Sequence, residues 1–469
     1  MSEHPSRARW SALAVVCAGM LMVILDGSIT TVALPAIQDD LHIGPAGLAW
    51  VVDAYVIAFG GLLLLAGRLG DLLGRRRIYL AGIAAFTVAS VLCGLATGPA
   101  TLISARFLQG VGGAMASAVG LGMVVGLFPE PVDRAKAFGV VGFTGSAGAS
   151  LGQVLGGVLT EGLGWHWIFF INLPIGAAAL LAGLRLLPRD AGGPAGGGVD
   201  VPGAALVTGG LMLGVYSIVE GGPHGWTSAG TLGPAAAALA LLAAFVLRQA
   251  RAATPLLPLR VLARRTTALA NLVQILLLGA LFGFQVLVAL YLQNVQHYGA
   301  LDTGLAMLPA ALAIGAVSLL VAARAIGRFG ERRTLLLGLA LLTVGLALLV
   351  RLPAGRFDYV ADLLPTMLLG AGFGLAATAL TALGMADARP EDAGLLSGVL
   401  NTTQQVGAAL GVAVLTALAG GSGDAVDGFH LAFGVGATLL LAAFLLATAL
   451  PARTAPVPAA AEPPAPVPN

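Results

Sequence analysis

Long apolar runs recur along the whole chain and are separated by short polar segments. Each run holds roughly 18–25 residues, enough for a helix to cross a bilayer core of about 30 Å. The hydrocarbon offers no water to the backbone, so a crossing segment must form its hydrogen bonds within its own helix. The pattern predicts fourteen membrane-spanning helices, at 11–33, 48–66, 78–96, 101–125, 137–160, 167–187, 203–220, 231–249, 267–291, 304–324, 334–352, 360–384, 396–419 and 429–450.

The composition agrees with a membrane protein. Of the 469 residues, 58% are hydrophobic and 10% are charged, and the mean hydropathy is +0.94. Ordinary soluble domains carry about 25% charged residues, so this chain has too few to cover a soluble surface. The sequence therefore predicts an all-α polytopic membrane protein. A net charge of +2 gives no reason to expect a nucleic-acid partner.

The basic residues predict the orientation in the membrane. If the N-terminus is cytoplasmic, 21 of the 24 Lys and Arg residues fall on the cytoplasmic side. Arg351 and Arg356 then lie outside, and Arg106 lies within a span. Cytoplasmic loops carry such an excess of basic residues, and losing one span would invert every later loop. We therefore expect both termini to be cytoplasmic in a multi-pass protein of the cell membrane.

Two arginine-rich turns resemble each other. Residues 74–82 align with 330–338 at an offset of 256, which also places Arg68 on Arg324. This predicts two parallel six-helix repeats, an arrangement in which transporters bind substrate between the halves. The alternative is that short arginine-rich turns look alike by chance. The predicted units are an N-terminal bundle (1–190), a linker with two extra helices (191–265), a C-terminal bundle (266–450) and a disordered cytoplasmic tail (451–469).

Six segments resemble the motifs of a known family, in the expected order. They are Leu25–Ile29 with Ala33–Pro35, Gly67–Arg76, Arg106–Gly110, Gly148–Gly157, Trp165–Gly176 and Asn401–Gln405. Together they resemble the fourteen-helix drug–proton antiporters of the major facilitator superfamily, although Gln153 follows Gly152 where that family usually has proline. The resemblance implies the major facilitator fold, with two linker helices between the bundles. It also implies proton-coupled efflux of amphipathic drugs, dyes or antibiotics.

Three charged residues inside spans are candidates for proton coupling. Asp26 lies near the centre of the first span, where an ionised carboxylate costs roughly 2.5–3.5 kcal/mol unless it faces a cavity or takes up a proton. The resemblance implies a coupling or cation-recognition role for it, and Arg106 is its natural counter-charge. Asp53, in the second span, is either a second coupling carboxylate or a residue wetted from outside. The sequence does not decide whether Asp26 or Asp53 is the main coupling site.

Other polar and small residues inside spans are candidates for the cavity and for movement. The candidate cavity residues are Tyr55, Gln109, Asn271, Gln274, Gln285, Asn401 and Gln405. Most of them could equally bond one helix to another, a contact of about 0.6 kcal/mol. The resemblance implies a cytoplasmic latch of the outward-open state, with topology and folding alone as the alternative, at Gly67, Arg68, Gly70, Asp71, Gly74, Arg75 and Arg76. Small residues let helices approach closely, which predicts a packing face at Gly148, Gly152, Gly156 and Gly157.

Several kinds of chemistry find no support in the sequence. It contains no Gly-x-x-x-x-Gly-Lys-Ser/Thr loop, and its histidines lack metal-ligand spacing, so we expect neither an enzyme nor a cofactor or metal. The expected partners are a small-molecule substrate, protons and membrane lipids. We expect a monomer, with an accessory subunit left open. The alternatives are an exporter of a lipid, siderophore or other metabolite, and a non-transporting membrane enzyme or sensor.

Overall fold

The computed structural model describes residues 6–43, 45–189, 200–225, 227–252, 255, 264–298, 300–353, 355, 357–386, 393–420 and 425–451. Residues 190–199, most of a Gly- and Pro-rich stretch at 189–202, and the predicted tail from 452 on lie outside these ranges. Within them, every regular element is a helix, and fourteen segments are long and apolar enough to cross a membrane. The predicted all-helical class and the number of spans are confirmed.

The helices follow one another with short connections. In chain order they are α1 (Ser6–Leu41), α2 (Pro45–Leu73), α3 (Arg75–Gly94), α4 (Pro99–Leu127), α5 (Pro131–Leu163), α6 (Trp167–Phe170), α7 (Asn172–Leu186), α8 (Val201–His224), α9 (Ala229–Gln249), α10 (Arg265–Asn294), α11 (Ala300–Ala316), α12 (Ala323–Phe329), α13 (Glu331–Leu348), α14 (Met367–Gly384), α15 (Ala393–Gly420) and α16 (Ala425–Thr448).

Four of the spans are not continuous α-helices, contrary to the simple expectation from hydropathy. The eleventh ends in a 3₁₀ turn, Leu349–Arg351. The sixth span breaks at Ile171 between α6 and α7. The tenth contains a π-helical stretch, Val317–Ala322, and the twelfth starts with a π-helical turn, Tyr359–Leu363, followed by a 3₁₀ turn, Leu364–Thr366. Hydropathy responds only to apolar content, so it cannot detect such changes of helical pitch, which often occur at functional sites.

The two arginine-rich turns have the same backbone conformation. Gly74 and Gly330 precede α3 and α13 with positive φ angles of 101° and 83°, a region that favours glycine. Eight residues further on, Gly82 and Gly338 allow equally close helix contacts. A Cβ on Gly82 would lie 2.6 Å from the nitrogen of Ala116, and one on Gly338 would lie 2.7 Å from the nitrogen of Ala376. The repeat in sequence therefore corresponds to a repeat in packing.

Two large apolar cores lie in the two six-helix blocks. The first is built mainly from α1 to α5 and α7, and the second mainly from α10 to α16. The first core continues into the other block through residues that include Met385, Leu396 and Leu400. These residues lie near the ends of α14 and α15 that adjoin the Gly74 and Gly330 turns. We call this end of the bundle the turn end.

The linker helices α8 and α9 pack on each other, and α8 also packs beside α2. Asp200 caps the start of α8 and joins it to the end of α9, because its carboxylate accepts hydrogen bonds from the Gly203 nitrogen (3.0 Å), Arg248 Nε (2.7 Å) and Gln249 Nε2 (2.8 Å). Burial raises the pKa of the Asp200 carboxyl, but these hydrogen bonds outweigh it and hold the pKa below its usual value. The clamp is thus formed by the ionised carboxylate.

Candidate functional site

Asp26 lies in a closed polar cluster inside the first block. Its side chain is 0% exposed, and both carboxylate oxygens accept hydrogen bonds. Arg106 Nη1 donates to Oδ2 at 2.6 Å, and Oδ1 accepts from Gln109 Nε2 at 2.7 Å and from Asn172 Nδ2 at 2.9 Å. These partners come from α4 and α7, so three helices meet at one carboxylate. A charge buried this deeply needs such partners to be tolerated.

Arg106 has further partners besides the carboxylate. Its Nε donates to the Val51 carbonyl at 2.9 Å, and its Nη1 also donates to Gln109 Oε1 at 2.6 Å. The guanidinium carbon lies 4.5 Å from the ring centroid of Tyr55, within the range of a cation–π contact. Arg106 therefore keeps several favourable contacts if Asp26 becomes neutral.

This arrangement couples the charge of Asp26 to the packing of the block. Removing one member of a buried ion pair typically costs about 3–5 kcal/mol, because the other charge is left without its partner. Protonation of Asp26 neutralises one member in the same way, and Arg106 must then rely on Val51, Gln109 and Tyr55. The charge of Asp26 therefore contributes to the contact between α1 and α4.

The structure adds residues to this cluster that the sequence did not single out. Asn172 was noticed only as part of the Trp165–Gly176 motif. Ser90 Oγ accepts a hydrogen bond from Gln109 Nε2 at 2.8 Å, and Cys93 Sγ lies 3.7 Å from Gln109 Oε1. Uncharged residues of these types are common in membrane helices, so the only sequence signal was the motif around Asn172.

Asp53 lies apart from the Asp26 cluster. It is half-buried on α2, and its carboxylate experiences repulsion from Glu220 on the linker helix α8. A second negative charge nearby makes the ionised form of a partly buried carboxylate less favourable. Asp53 therefore stays a candidate for a second coupling site, and its neighbour comes from the linker.

The candidate cavity residues separate into different groups. Tyr55 and Gln109 belong to the Asp26 cluster, as described above. In the second block, Gln274 Nε2 donates to the Leu400 carbonyl at 2.9 Å, and Asn271 Oδ1 accepts from Thr403 Oγ1 at 2.8 Å, so both join α10 to α15. Asn401 donates to the Ser397 carbonyl at 2.9 Å and to the Ser117 carbonyl of the first block at 3.4 Å. The two remaining candidates are Gln285, which is exposed, and Gln405, which is half-buried.

Asp71 bonds the two blocks together at the turn end. Its oxygens accept hydrogen bonds from the backbone nitrogens of Gly394 (2.8 Å) and Leu395 (2.7 Å), in the first turn of α15. Arg75 Nη2 donates to the same carboxylate at 2.8 Å. A carboxylate at a helix N-terminus is favoured by the unpaired N–H groups and by the helix dipole. Asp71 thus caps a helix of the other block.

The other residues of this loop support the contact. Gly67 packs on Gly394 and lies beside Gly398, where a Cβ would be 3.2 Å from the Gly398 Cα. The rest lie as follows: Gly70 packs on Val119, Gly74 forms the turn, Arg76 Nη2 donates to the Leu184 carbonyl at 2.6 Å, and Arg68 is half-buried.

The glycines of α5 pack within the first block. A Cβ on Gly148 would lie 3.1 Å from Leu21, one on Gly152 would lie 2.9 Å from the Leu25 carbonyl, and one on Gly156 would lie 3.1 Å from the Ile29 carbonyl, all on α1. No described atom lies within 4 Å of a Cβ placed on Gly157. The contact between blocks is made nearer the start of α5, where Gly139 and Gly142 meet Ser318 in the π-helical stretch.

An apolar groove of about 580 Å³ lies between α2, α4 and α8, toward the end opposite the turn end. Its lining is Trp50, Ala54, Ile57, Ile103, Ser104, Phe107, Leu108, Met212, Leu213 and Tyr216. Phe107 directly follows Arg106 in the chain, but neither Arg106 nor Asp26 lines the groove. Pockets of this size and character accept small apolar or amphipathic molecules. No sequence pattern predicted this groove, because its walls are ordinary apolar residues from distant spans.

Comparison with known proteins agrees with this geometry. The profile of the Major Facilitator Superfamily matches residues 16–412. The chain is 40% identical to the puromycin resistance protein pur8 of Streptomyces alboniger, covering 96% of this chain and 93% of that one. It is 36% identical to the cephamycin export protein CmcT of Amycolatopsis lactamdurans, covering 97% and 94%. The fold is similar to that of the human organic anion transporter MFSD10 (TM-score 0.70, 17% identity, 95% and 100% covered).

Proposed function

The chain belongs to the major facilitator superfamily, and on that basis we propose that it exports amphipathic antibiotics or related drugs in exchange for protons. The two relatives named above are called a puromycin resistance protein and a cephamycin export protein. The observation that carries the proposal is the sealed contact between Asp26 and Arg106. A buried, fully bonded acid gives the protein a group whose protonation must be accompanied by movement.

In this proposal Asp26 is the principal coupling site, and Asp53 beside Glu220 is a second one. Residues 1–190 and 266–450 act as two bundles that rock against each other around the substrate. The driving force is the proton gradient together with the membrane potential, which is worth about 2.3 kcal/mol per charge per 100 mV.

The proposed orientation places the turn end and both termini in the cytoplasm of a cell membrane. The excess of basic residues at the turn end supports it, since 21 of 24 would be cytoplasmic. The contact of Asp71 with α15 then closes the cytoplasmic side, and the structure corresponds to an outward-facing state. Asp71 and its neighbours act as the latch of this state, and the arginines of the turn contact lipid phosphates.

The test is transport by the purified protein in liposomes under an imposed pH step. Puromycin, a cephamycin and a cationic dye are supplied on one side, and their accumulation on the other is measured with and without an uncoupler. We expect accumulation of at least one compound that the uncoupler abolishes. Asp26→Asn, which keeps the size of the side chain but cannot be ionised, should abolish the effect of the pH step.

The matched control is Asp133→Asn, which removes a carboxylate from an exposed pair with Lys136 in the same block. Exposed pairs contribute about 0–1 kcal/mol, so this variant should transport like the wild type. The proposal fails if the wild type moves none of the compounds, or if Asp26→Asn responds to the pH step as the wild type does.

A further inference from the structure

Asn172 contacts the candidate coupling carboxylate but has an unused acceptor. Its side chain is 0% exposed, and its Nδ2 donates to Asp26 Oδ1 at 2.9 Å. Its own Oδ1 has no hydrogen-bond partner among the described residues. Buried polar atoms are nearly always paired, since an unpaired acceptor loses its hydrogen bond to water without compensation. An orphan beside a titratable group suggests that its partner is present only in another protonation state.

We infer that Asn172 serves both protonation states of Asp26 by turning its amide over. An ionised carboxylate only accepts hydrogen bonds, so Asn172 presents its NH₂ group, as observed. A protonated carboxyl carries an O–H that needs an acceptor. A half-turn of the amide about χ2 then places Oδ1 against that O–H. The proton itself comes from bulk water, and Asn172 neither supplies nor removes it. The inference rests on the proposed function and adds a positioning residue to it.

The half-turn leaves the number of hydrogen bonds between Asn172 and Asp26 unchanged. The Asn172 Oδ1 gives up no bond among the described residues, and the Nδ2 bond to Asp26 is replaced by the new O–H bond. The terminal torsion of an Asn side chain is broad and roughly two-fold, so the rotation leaves the backbone in place. Asn172 is also the first residue of α7, directly after the break at Ile171. It is therefore held by a helix end rather than within a continuous helix.

Among the described side chains that hydrogen-bond to Asp26, only Asn172 has an acceptor with no donor already bound to it. The titratable groups facing it are Arg106 on α4, Tyr55 on α2 and Cys93 on α3, and an arginine has no acceptor at all. Gln109 Oε1 already accepts from Arg106 at 2.6 Å, and Ser90 Oγ already accepts from Gln109 Nε2. On the remaining side, α5 approaches this part of α1 with Gly148 and Gly152, which bring no charge. Asn172 Oδ1 is thus the acceptor left over.

Asn172→Leu tests the inference, because leucine has a similar size but neither donates nor accepts. The ionised form of Asp26 loses the Asn172 Nδ2 bond but keeps those from Arg106 and Gln109, so both of its oxygens stay bonded. The protonated form loses its acceptor, which leaves a buried O–H without any partner, the costlier of the two losses. The variant should therefore disfavour the protonated form. Uptake into liposomes is measured over a pH series, and we expect the pH of half-maximal transport to fall by about one unit, a tenfold change in the proton concentration needed.

The direction of the shift distinguishes the possible roles. A shift to higher pH would mean that Asn172 only donates to the carboxylate, and an unchanged pH profile with slower transport would mean that it only packs; either result overturns the inference. If the wild type shows no proton-driven transport, the proposed function fails instead. The inference then still has its own test, which needs no transport.

That second measurement is the infrared difference spectrum of the purified protein between high and low pH. The carbonyl band of the protonated carboxyl is assigned by its loss in Asp26→Asn. In Asn172→Leu this band should move to higher wavenumber, because its O–H has lost the acceptor. An unmoved band would contradict the inference even if transport were lost. Thermal unfolding of each variant checks that it is folded.

Discussion

The contact between Asp71 and the start of α15 can be tested by removing it. Asp71→Ala removes the carboxylate that, among the described residues, caps Gly394 and Leu395, and these bonds exist only while the blocks meet at the turn end. Loss of a helix cap costs about 0.5–2 kcal/mol, and the buried carboxylate places this cap at the upper end. A loss of about 2 kcal/mol shifts the balance between the closed and open turn end roughly 30-fold toward open.

The assay is the distance between two spin labels, placed on cysteines introduced at Leu73 and Phe329. These residues end α2 and α12, lie in different blocks, and are 48% and 51% exposed. We expect Asp71→Ala to add or enlarge a population with a longer distance, while Asp133→Asn, which removes an exposed carboxylate from α5, leaves the distribution as it is. A folded Asp71→Ala protein with the wild-type distribution would refute the latch.

Three further variants test other parts of the structure. In Gly411→Ala, the new Cβ would overlap the backbone of Gly279, whereas Gly434→Ala meets no atom within 4 Å. Both gain the same helix propensity, so Gly411→Ala should be less stable by about 1–3 kcal/mol and melt several degrees lower than Gly434→Ala. Because the folded-state pKa of Asp200 is depressed, its contribution to stability is present above pH about 4 and lost below it. The difference in melting temperature between wild type and Asp200→Asn should therefore shrink as the pH falls below about 4. Arg106→Lys keeps the charge but loses the planar fork, so pH-driven transport should fall at least about tenfold in the liposome assay.

Hydropathy was enough to predict the fourteen spans, since each needs only a sufficient length of apolar residues. It could not predict the break at Ile171 or the π-helical stretch beginning at Val317, because both occur inside equally apolar sequence. The π-helical stretch lies at a contact between helices, where Gly139 approaches Ser318. Such contacts join residues far apart in the chain and leave no local pattern.

The residues of the candidate site were predictable to different degrees. A charged residue within a span draws attention because it is costly there, so Asp26, Asp53 and Arg106 could be named from the sequence. Asp26 pairs with Arg106, whereas Asp53 lies apart from both. This depends on how each helix is rotated about its own axis, which the sequence does not show. Asn172 carries no charge, and only the folded chain places it beside the carboxylate.

The linker helix α8 touches both blocks along one edge of the seam. It packs on α2 of the first block and, through Ala204 and Val207, beside Leu395 and Val399 of α15. The opposite edge, where α5 meets α11 and α14, has no corresponding covering helix among the described residues. Bilayer lipids would then reach one edge directly and the other only past α8. Changes in lipid chain length or lateral pressure should consequently act on the two edges unequally, and the pivot of any rocking motion should lie closer to the covered one.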